Sequence, residues 1–494
     1  MDKLEKTEVE KSEVSHIESN IESGTKSRDF FEVEKPESLK QYSDEEIDKF
    51  HKKITRKVDL RLIPMLVFLY ILNYLDRNNI ASARLGALEE DLNLKGNQYE
   101  TCISILFVGY ILMQIPANMF LNKFKKPSIF LASIMGAWVQ FPSVSSPSRA
   151  LVDYLPCLYV LSCWYTRKQL GFRNSLLYSG SLLSGAFSGL IAAGIVDNMD
   201  HLHGLRSWRW LFIIEGGVTV GVAPLAYLVL PDMPHNSKML NDFEKDVLLY
   251  KIRCETGQDD SDETNEESYW GAFKLAVCDV KVWACCGILS WLVSAAGVTN
   301  FFPSIVETLN FDRVITLCLT APPYILAVIS TFIWALHADK TGERFWHVVS
   351  PLLIALASFI ISVSTLNTGA RYFAMVIMVP SIYCSFTTIL SWMSNSVPRP
   401  PLKRAIALSL LNCLSNSASI WNAYLYPSSA APRYTVAFTC NCVFIALAIA
   451  CAVALRLRLQ ILNRRIDNGT MNWENELGKG NDGSEVRDDF RYLI

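Results

Sequence analysis

Three ionisable residues lie in or at the end of long apolar stretches of this chain, where a charge is costly and marks a functional candidate. Asp76 and Arg77 stand at the end of the first long apolar run, and Glu215 stands within a later one. A carboxyl group there can bind a proton, and a guanidinium group can bind an anion. The alternatives are an anchor near the membrane surface or a structural ion pair. Asp76 and Arg77 do not face each other, because consecutive helical residues point about 100° apart.

A polar stripe follows the second apolar run. Tyr110, Gln114 and Asn118 are spaced four residues apart, which places them on one face of a helix. In lipid such a face must be directed toward protein or water. We therefore expect Tyr110 and Gln114 to contact a substrate, or else to hydrogen-bond a neighbouring helix.

Two later runs carry side chains that suit a carboxylate ligand. Asn412 and Asn416 share a face of the last run but one, and Trp392 and Asn395 lie in the run before it. Amide groups facing each other across a bundle can hydrogen-bond a substrate carboxylate. They also serve commonly as polar contacts between helices. Both interpretations stay open from the sequence.

The elements that position these residues are membrane-spanning helices. Of 494 residues 51% are hydrophobic and 19% are charged. Apolar runs of about 18 to 24 residues recur, which is long enough to cross a bilayer core. Basic residues fall on alternate connections, which predicts both termini inside. Two groups of about six spans, joined by a polar loop, are the layout of secondary transporters with a site between two halves.

The predicted organisation has five parts. In chain order they are a disordered cytosolic N-terminal tail (1–57), an N-terminal transmembrane half (58–230), a cytosolic linker (231–280), a C-terminal transmembrane half (281–456) and a cytosolic C-terminal tail (457–494).

One stretch of the N-terminal half is short. Residues 127–166 must hold the third and fourth spans, but their two apolar runs are nearer 13 to 16 residues than the roughly 20 of a full span. The sequence therefore predicts a shortened third and fourth helix hairpin, or a segment missing from the gene prediction.

Several short motifs together resemble one known family. They are Asn-Tyr-Leu-Asp-Arg at 73–77, Phe-Val-Gly-Tyr at 107–110, Pro-Ala-Asn at 116–118, Ser-Cys-Trp-Tyr-Thr-Arg at 162–167, Trp-Arg-Trp-Leu-Phe-Ile-Ile-Glu-Gly at 208–216, Ser-Trp-Met-Ser-Asn at 391–395, Ala-Pro-Arg-Tyr at 431–434 and Phe-Arg-Tyr-Leu at 490–493. The chain is similar in these motifs to the fungal allantoate permease group of anion:cation symporters, within the major facilitator superfamily.

The resemblance implies an all-α integral membrane protein with two six-helix halves. It implies transport of an organic anion such as allantoate, nicotinate, pantothenate or biotin, with protons, across the plasma membrane. The loop at 338–344 resembles the conformational latch of the superfamily, which assigns Asp339 and Arg344 a gating role. In the first half, residues 122–127 keep only the positive charges of that motif.

The leading hypothesis is a proton symporter for a small organic anion that works by alternating access. Asp76 or Glu215 would bind the proton, and amides and aromatic residues would hold the substrate. We expect a monomer in a lipid bilayer, with no cofactor, no metal site and no nucleic-acid partner. A membrane enzyme is disfavoured, because no catalytic motif is present. The shortened hairpin favours the alternative of a non-transporting sensor or an inactive remnant.

Overall fold

The computed structural model describes residues 35–123, 160–161, 164–165, 167–256, 269–397, 401–471 and 491–493. Within these ranges the secondary structure is helical and contains no strand, so the predicted all-α fold is confirmed. The longer helices are α1 (Asp44–Leu85), α2 (Gln98–Lys123), α3 (Arg167–Asn198), α4 (Ser207–Val229), α5 (Asp242–Thr256), α6 (Tyr269–Cys278), α7 (Val280–Ala296), α8 (Ala321–Thr341), α9 (Phe345–Ser364), α10 (Thr368–Ser396), α11 (Pro401–Asn422) and α12 (Thr435–Asp467).

Shorter elements complete the connections. Three are α-helical (Leu88–Asp91, Phe302–Glu307 and Arg313–Cys318), and six are 3₁₀ turns (Glu37–Leu39, Leu202–Gly204, Pro234–Asn236, Gly297–Phe301, Ala423–Leu425 and Ser428–Ala430).

Eight helical regions in the described ranges are long and apolar enough to cross a membrane. They are Asp44–Leu85, Ser175–Asn198, Ser207–Val229, Val280–Glu307, Arg313–Thr341, Phe345–Ser364, Thr368–Ser396 and Thr435–Asp467. α2 and α11 occupy the positions predicted for the second and eleventh spans. The predicted short hairpin at 127–166 lies almost entirely outside the described residues. Large apolar side chains such as Leu228 and Leu336 are more than half exposed, as a surface that faces lipid requires.

The chain divides into two compact units, and the first comprises Met1–Thr55 and Met239–Thr264. Tyr42, Phe50 and Phe243 form a triangle of rings with centroids 5.4 Å apart. The Ser38 hydroxyl donates to Asp246 at 2.6 Å. The sequence predicts a disordered tail through residue 57, whereas in the structure α1 begins at Asp44. The contacts with Phe243 and Asp246 explain this difference, because they stabilise the start of α1. The partners are about 200 residues apart in sequence, so composition alone does not reveal them.

The second unit comprises Arg56–Lys238 and Asn265–Ile494, which include both predicted transmembrane halves. In the C-terminal half α10 packs on α8 and α9, and α7 packs on α11 and α12. Between the halves, α3 packs on α8, and α2 packs on α11. We call the end of the bundle where α12 finishes the predicted inner end, and the opposite end the predicted outer end.

A glycine face of α3 makes the contact with α8 possible. A Cβ atom built on Gly185 would lie 2.7 Å from the Tyr324 ring, and one on Gly189 would lie 2.7 Å from the Leu317 carbonyl oxygen. Side chains larger than hydrogen do not fit at these distances. Small residues spaced four positions apart on a helix let two helix backbones approach closely.

Polar seams fix α1 against α3 in the N-terminal half. Asn78 donates to Ser184 at 3.2 Å, and Ser188 donates to Asn79 at 2.9 Å. Such hydrogen bonds between membrane helices stabilise their packing. They hold the segment of α1 that carries Asp76 and Arg77 in a defined orientation.

Candidate functional site

α4 is positioned by its first turn. The Ser207 backbone N–H donates to Asp200 at 2.9 Å, and this hydrogen bond lowers the pKa of the Asp200 carboxyl. Trp208 and Arg209 both donate to Asp91, at 3.0 and 2.9 Å, which ties the start of α4 to the short helix that follows α1. The Trp-Arg-Trp motif thus anchors α4 beside α1.

Glu215 lies on the buried face of α4. Leu211, Glu215, Thr219 and Ala223 recur every four residues and are all buried. The Glu215 side chain is 5% exposed, and its two carboxyl oxygens accept no hydrogen bond from a donor in the described part of the chain. A buried carboxyl without donors is costly in its ionised form.

The neighbour of Glu215 is another carboxyl group. Asp76 on α1 interacts with Glu215 electrostatically and lies within side-chain hydrogen-bonding range of it. Two carboxylates can hydrogen-bond each other only when a proton is present between them, and two adjacent negative charges repel strongly in a low dielectric. Proton binding at one of the two carboxyl groups therefore affects the other.

Arg77 points in a different direction from Asp76, as the helix geometry predicts. Its guanidinium carbon lies 5.3 Å from the Tyr74 ring centroid and 5.0 Å from that of Phe107. It also interacts electrostatically with Tyr383 on α10, in the opposite half. Rings beside a guanidinium group hold it by cation–π attraction.

Aromatic side chains from both halves continue this surface. The Tyr178 ring of α3 stacks on Phe386 of α10, with centroids 5.2 Å apart, and lies 6.4 Å from Tyr383. Thr299, just after α7, interacts with Tyr383. The sequence interpretation did not select these residues. We call Arg77, Tyr178, Tyr383 and Phe386 the arginine–aromatic site.

The structure gives different information on the polar residues predicted to contact the substrate. The side chains of Tyr110 and Gln114 lie outside the described part of the chain, although both residues belong to α2. Asn395 is half-buried. The Asn416 amide donates to the backbone and side-chain oxygens of Asn412, each at 2.8 Å, so these two amides bond each other along α11.

Trp392 is in a different environment from the predicted one. It is fully buried, and its indole N–H donates to the Leu493 carbonyl at 3.1 Å. The indole has a single donor, which this bond occupies. Trp392 thus has no polar atom left for a substrate.

The latch-like loop after α8 contains an ion pair. Arg344 contacts Asp339 at 2.7 Å. A second polar chain lies beside it, in which His347 bonds Glu343 at 2.9 Å and His337 at 2.7 Å. The loop therefore joins α8 to α9 through two networks at the predicted inner end. The gating role of Asp339 and Arg344 stays a prediction.

The described residues form an all-α bundle in which eight helical regions are long and apolar enough to cross a membrane. The sequence model of the Major Facilitator Superfamily matches residues 66–422. This chain belongs to the Major Facilitator Superfamily and is a multi-pass membrane transporter, not an enzyme.

Known proteins agree with this assignment. The chain is 30% identical to the MFS-type transporter efuF of Hormonema carpetanum over 80% of this chain and 82% of that protein. It is 27% identical to the high-affinity nicotinic acid transporter of Saccharomyces cerevisiae over 80% of this chain and 75% of that protein.

Solved structures agree at the level of the fold. A bacterial homologue of the human lysosomal transporter Spinster, in an inward-facing conformation, matches with a TM-score of 0.59 at 14% identity, over 80% of this chain and 96% of that one. A D-xylose-proton symporter matches with a TM-score of 0.56 at 12% identity, over 80% of this chain and 96% of that one.

Proposed function

We propose that this transporter carries a small planar organic anion together with a proton, by alternating access. The observation that carries the proposal is the position of Arg77, which lies against the rings of Tyr74 and Phe107 and next in sequence to Asp76 of the carboxyl pair. Arg77 binds the substrate carboxylate, and the aromatic rings stack on the flat body of the molecule. The Saccharomyces nicotinic acid transporter supports a vitamin-like carboxylate as the substrate class.

Proton coupling follows from the charges. An anion alone would have to enter the negatively charged cell interior against the membrane potential, which costs about 2.3 kcal/mol per charge per 100 mV. A proton bound at Asp76 and Glu215 neutralises the moving charge. The proposal places the protein in the plasma membrane as a monomer with both termini in the cytosol.

The contacts between the halves supply the alternation. α3 touches α8 at the glycine face toward the predicted outer end, and the Ser104 hydroxyl of α2 donates to the Ile420 carbonyl of α11 at 2.8 Å. Opening this end requires both contacts to part. The arginine–aromatic site has side chains from both halves, so a bound anion favours the state in which the halves approach each other.

The test is uptake of radiolabelled nicotinate by cells that lack nicotinate uptake and express this chain. We expect saturable uptake that increases as the outside pH falls, and no uptake of the uncharged amide of the same ring. Absence of uptake for nicotinate, allantoate, pantothenate and biotin alike would refute transport of this class and favour the sensor or remnant alternative.

Arg77→Lys tests the anion contact. Lysine keeps the charge but loses the planar pair of donors, so we expect a KM for nicotinate about tenfold to a hundredfold higher. Arg61→Lys is the matched control, because Arg61 lies on the same helix and is exposed, donating to the Val229 carbonyl at 3.0 Å. Equal KM values in the wild type and the Arg77→Lys variant would exclude a direct carboxylate contact.

A further inference from the structure

Residues 491–493 pack against the C-terminal half. Tyr492 is 5% exposed, whereas Arg491 and Leu493 are exposed. We call these three residues the Arg-Tyr-Leu segment. Its contacts involve the inner ends of several helices, and neither proton binding nor the arginine–aromatic site uses them.

The backbone of the segment is held by one amide side chain. Asn463 on α12 donates to the Tyr492 carbonyl at 3.0 Å and accepts from the Tyr492 N–H at 2.9 Å. The Asn463 side chain thus donates to and accepts from the same residue, as a neighbouring strand does in a β-sheet. One turn further along α12, Asp467 contacts Arg491 at 2.7 Å.

The Tyr492 side chain enters a charged pocket. The Lys281 ammonium lies 4.7 Å from the ring centroid and 3.4 Å from the phenol oxygen. Lys281 begins α7 and is 2% exposed, and Lys403 begins α11 and is fully buried. Asp279 contacts Lys403 at 2.8 Å and Lys281 at 3.6 Å.

The lysines of this pocket act on the Asp279 carboxyl. Burial by itself raises the pKa of Asp279, but Lys281 and Lys403 outweigh it and hold that pKa below its usual range. Among the described residues these three groups form a cluster of one carboxylate and two ammonium groups. A tyrosine ring is a favourable neighbour for an ammonium group, because its face carries negative electrostatic potential.

From these contacts we propose that the inner end of the C-terminal half is a binding site for an Arg-Tyr-Leu peptide segment, which the chain supplies itself. Asn463 hydrogen-bonds the backbone of Tyr492, Lys281 contacts the Tyr492 ring, and Trp392 donates to the Leu493 carbonyl. The occupied site joins α7, α10 and α12 at their inner ends and packs beside the start of α11. The segment is thus a ligand that keeps these four helix ends together as the halves move.

Three substitutions in the full-length chain test this proposal by hydrogen–deuterium exchange in detergent. Trp392→Phe removes one hydrogen bond and keeps an aromatic ring. Tyr492→Ala removes the ring, and Asn463→Leu removes both backbone bonds at similar size. We expect exchange to rise roughly fivefold to tenfold per lost contact at the inner ends of α7, α10 and α12. Exchange at the outer end of α10 should not change.

The matched control is Tyr227→Ala, since Tyr227 is 53% exposed near the inner end of α4 in the other half. It removes an aromatic ring without touching the segment, so exchange in α7, α10 and α12 should stay at the wild-type rate. Unchanged exchange at these ends in both Tyr492→Ala and Asn463→Leu would overturn the proposal. So would a uniform rise over the whole chain in all three variants, since that signals global destabilisation.

Discussion

Glu215→Gln is expected to abolish accumulation of substrate against its gradient while leaving exchange of substrate across the membrane intact. Glutamine has the shape of a protonated glutamate and can donate an N–H to Asp76, so it imitates the carboxyl pair with its proton present. A carrier that is fixed in the proton-loaded form can still alternate, but it can no longer release the proton inside.

The measurement compares uphill uptake at two outside pH values with counterflow of labelled substrate into preloaded vesicles. We expect uphill uptake to fall at least about tenfold, a change of about 1.4 kcal/mol or more in driving force, and counterflow to stay within about twofold. Glu90→Gln is the control, because Glu90 is exposed in the short helix Leu88–Asp91. Undiminished, pH-dependent accumulation by Glu215→Gln would exclude the carboxyl pair as the coupling site.

Asp76→Asn completes this test. If the two carboxyl groups act as one proton site, uphill uptake by the double variant should be no lower than uptake by either single variant. The first substitution already abolishes proton coupling, so the second causes no further loss. Multiplied losses in the double variant would instead show that Asp76 and Glu215 act independently.

The second large effect is expected for Gly189→Ala. The new methyl group would lie 2.7 Å from the Leu317 carbonyl oxygen and would overlap the Thr320 hydroxyl, and the carbonyl cannot move aside without shifting the backbone. Overpacking of this kind costs about 1 to 3 kcal/mol. The cost falls on the state in which α3 touches α8, so its population should fall by a factor of about 5 to 150.

Uptake rate and counterflow rate both measure this loss, since every transport cycle passes through the closed outer end. We expect both to fall together, unlike the result for Glu215→Gln. Gly194→Ala on the same helix is the matched control, because no atom lies within 4 Å of its added Cβ. Adding Thr320→Ala to Gly189→Ala should restore part of the rate, and equal rates for Gly189→Ala and Gly194→Ala would contradict the packing argument.

Sequence reasoning identified which carboxyl groups are candidates but not that they touch. Asp76 and Glu215 stand out because each is an ionisable residue in or at the end of an apolar segment. Their contact depends on how α4 is held beside α1, through Asp91, Trp208 and Arg209. The motif that contains those anchors is visible in the sequence, but their common partner is not.

The choice of a face on α10 shows the limit of helical periodicity. Tyr383 and Trp392 are nine residues apart, so they point in nearly opposite directions at about 100° per residue. Phe386 is three residues from Tyr383 and lies on the same side, where it stacks on Tyr178. Every face of a helix inside a bundle meets other protein, so apolar and polar patterns do not distinguish the face at a cavity from the face at a neighbour.

The consecutive positions of Asp76 and Arg77 on α1 have a thermodynamic consequence. In the proposed mechanism Asp76 belongs to the proton site and Arg77 to the anion site, and a single peptide unit joins them. A bound proton that strengthens anion binding by some factor must itself be bound more tightly by that factor when the anion is present. Nicotinate affinity measured across pH therefore yields the proton affinity of the loaded carrier without a separate titration.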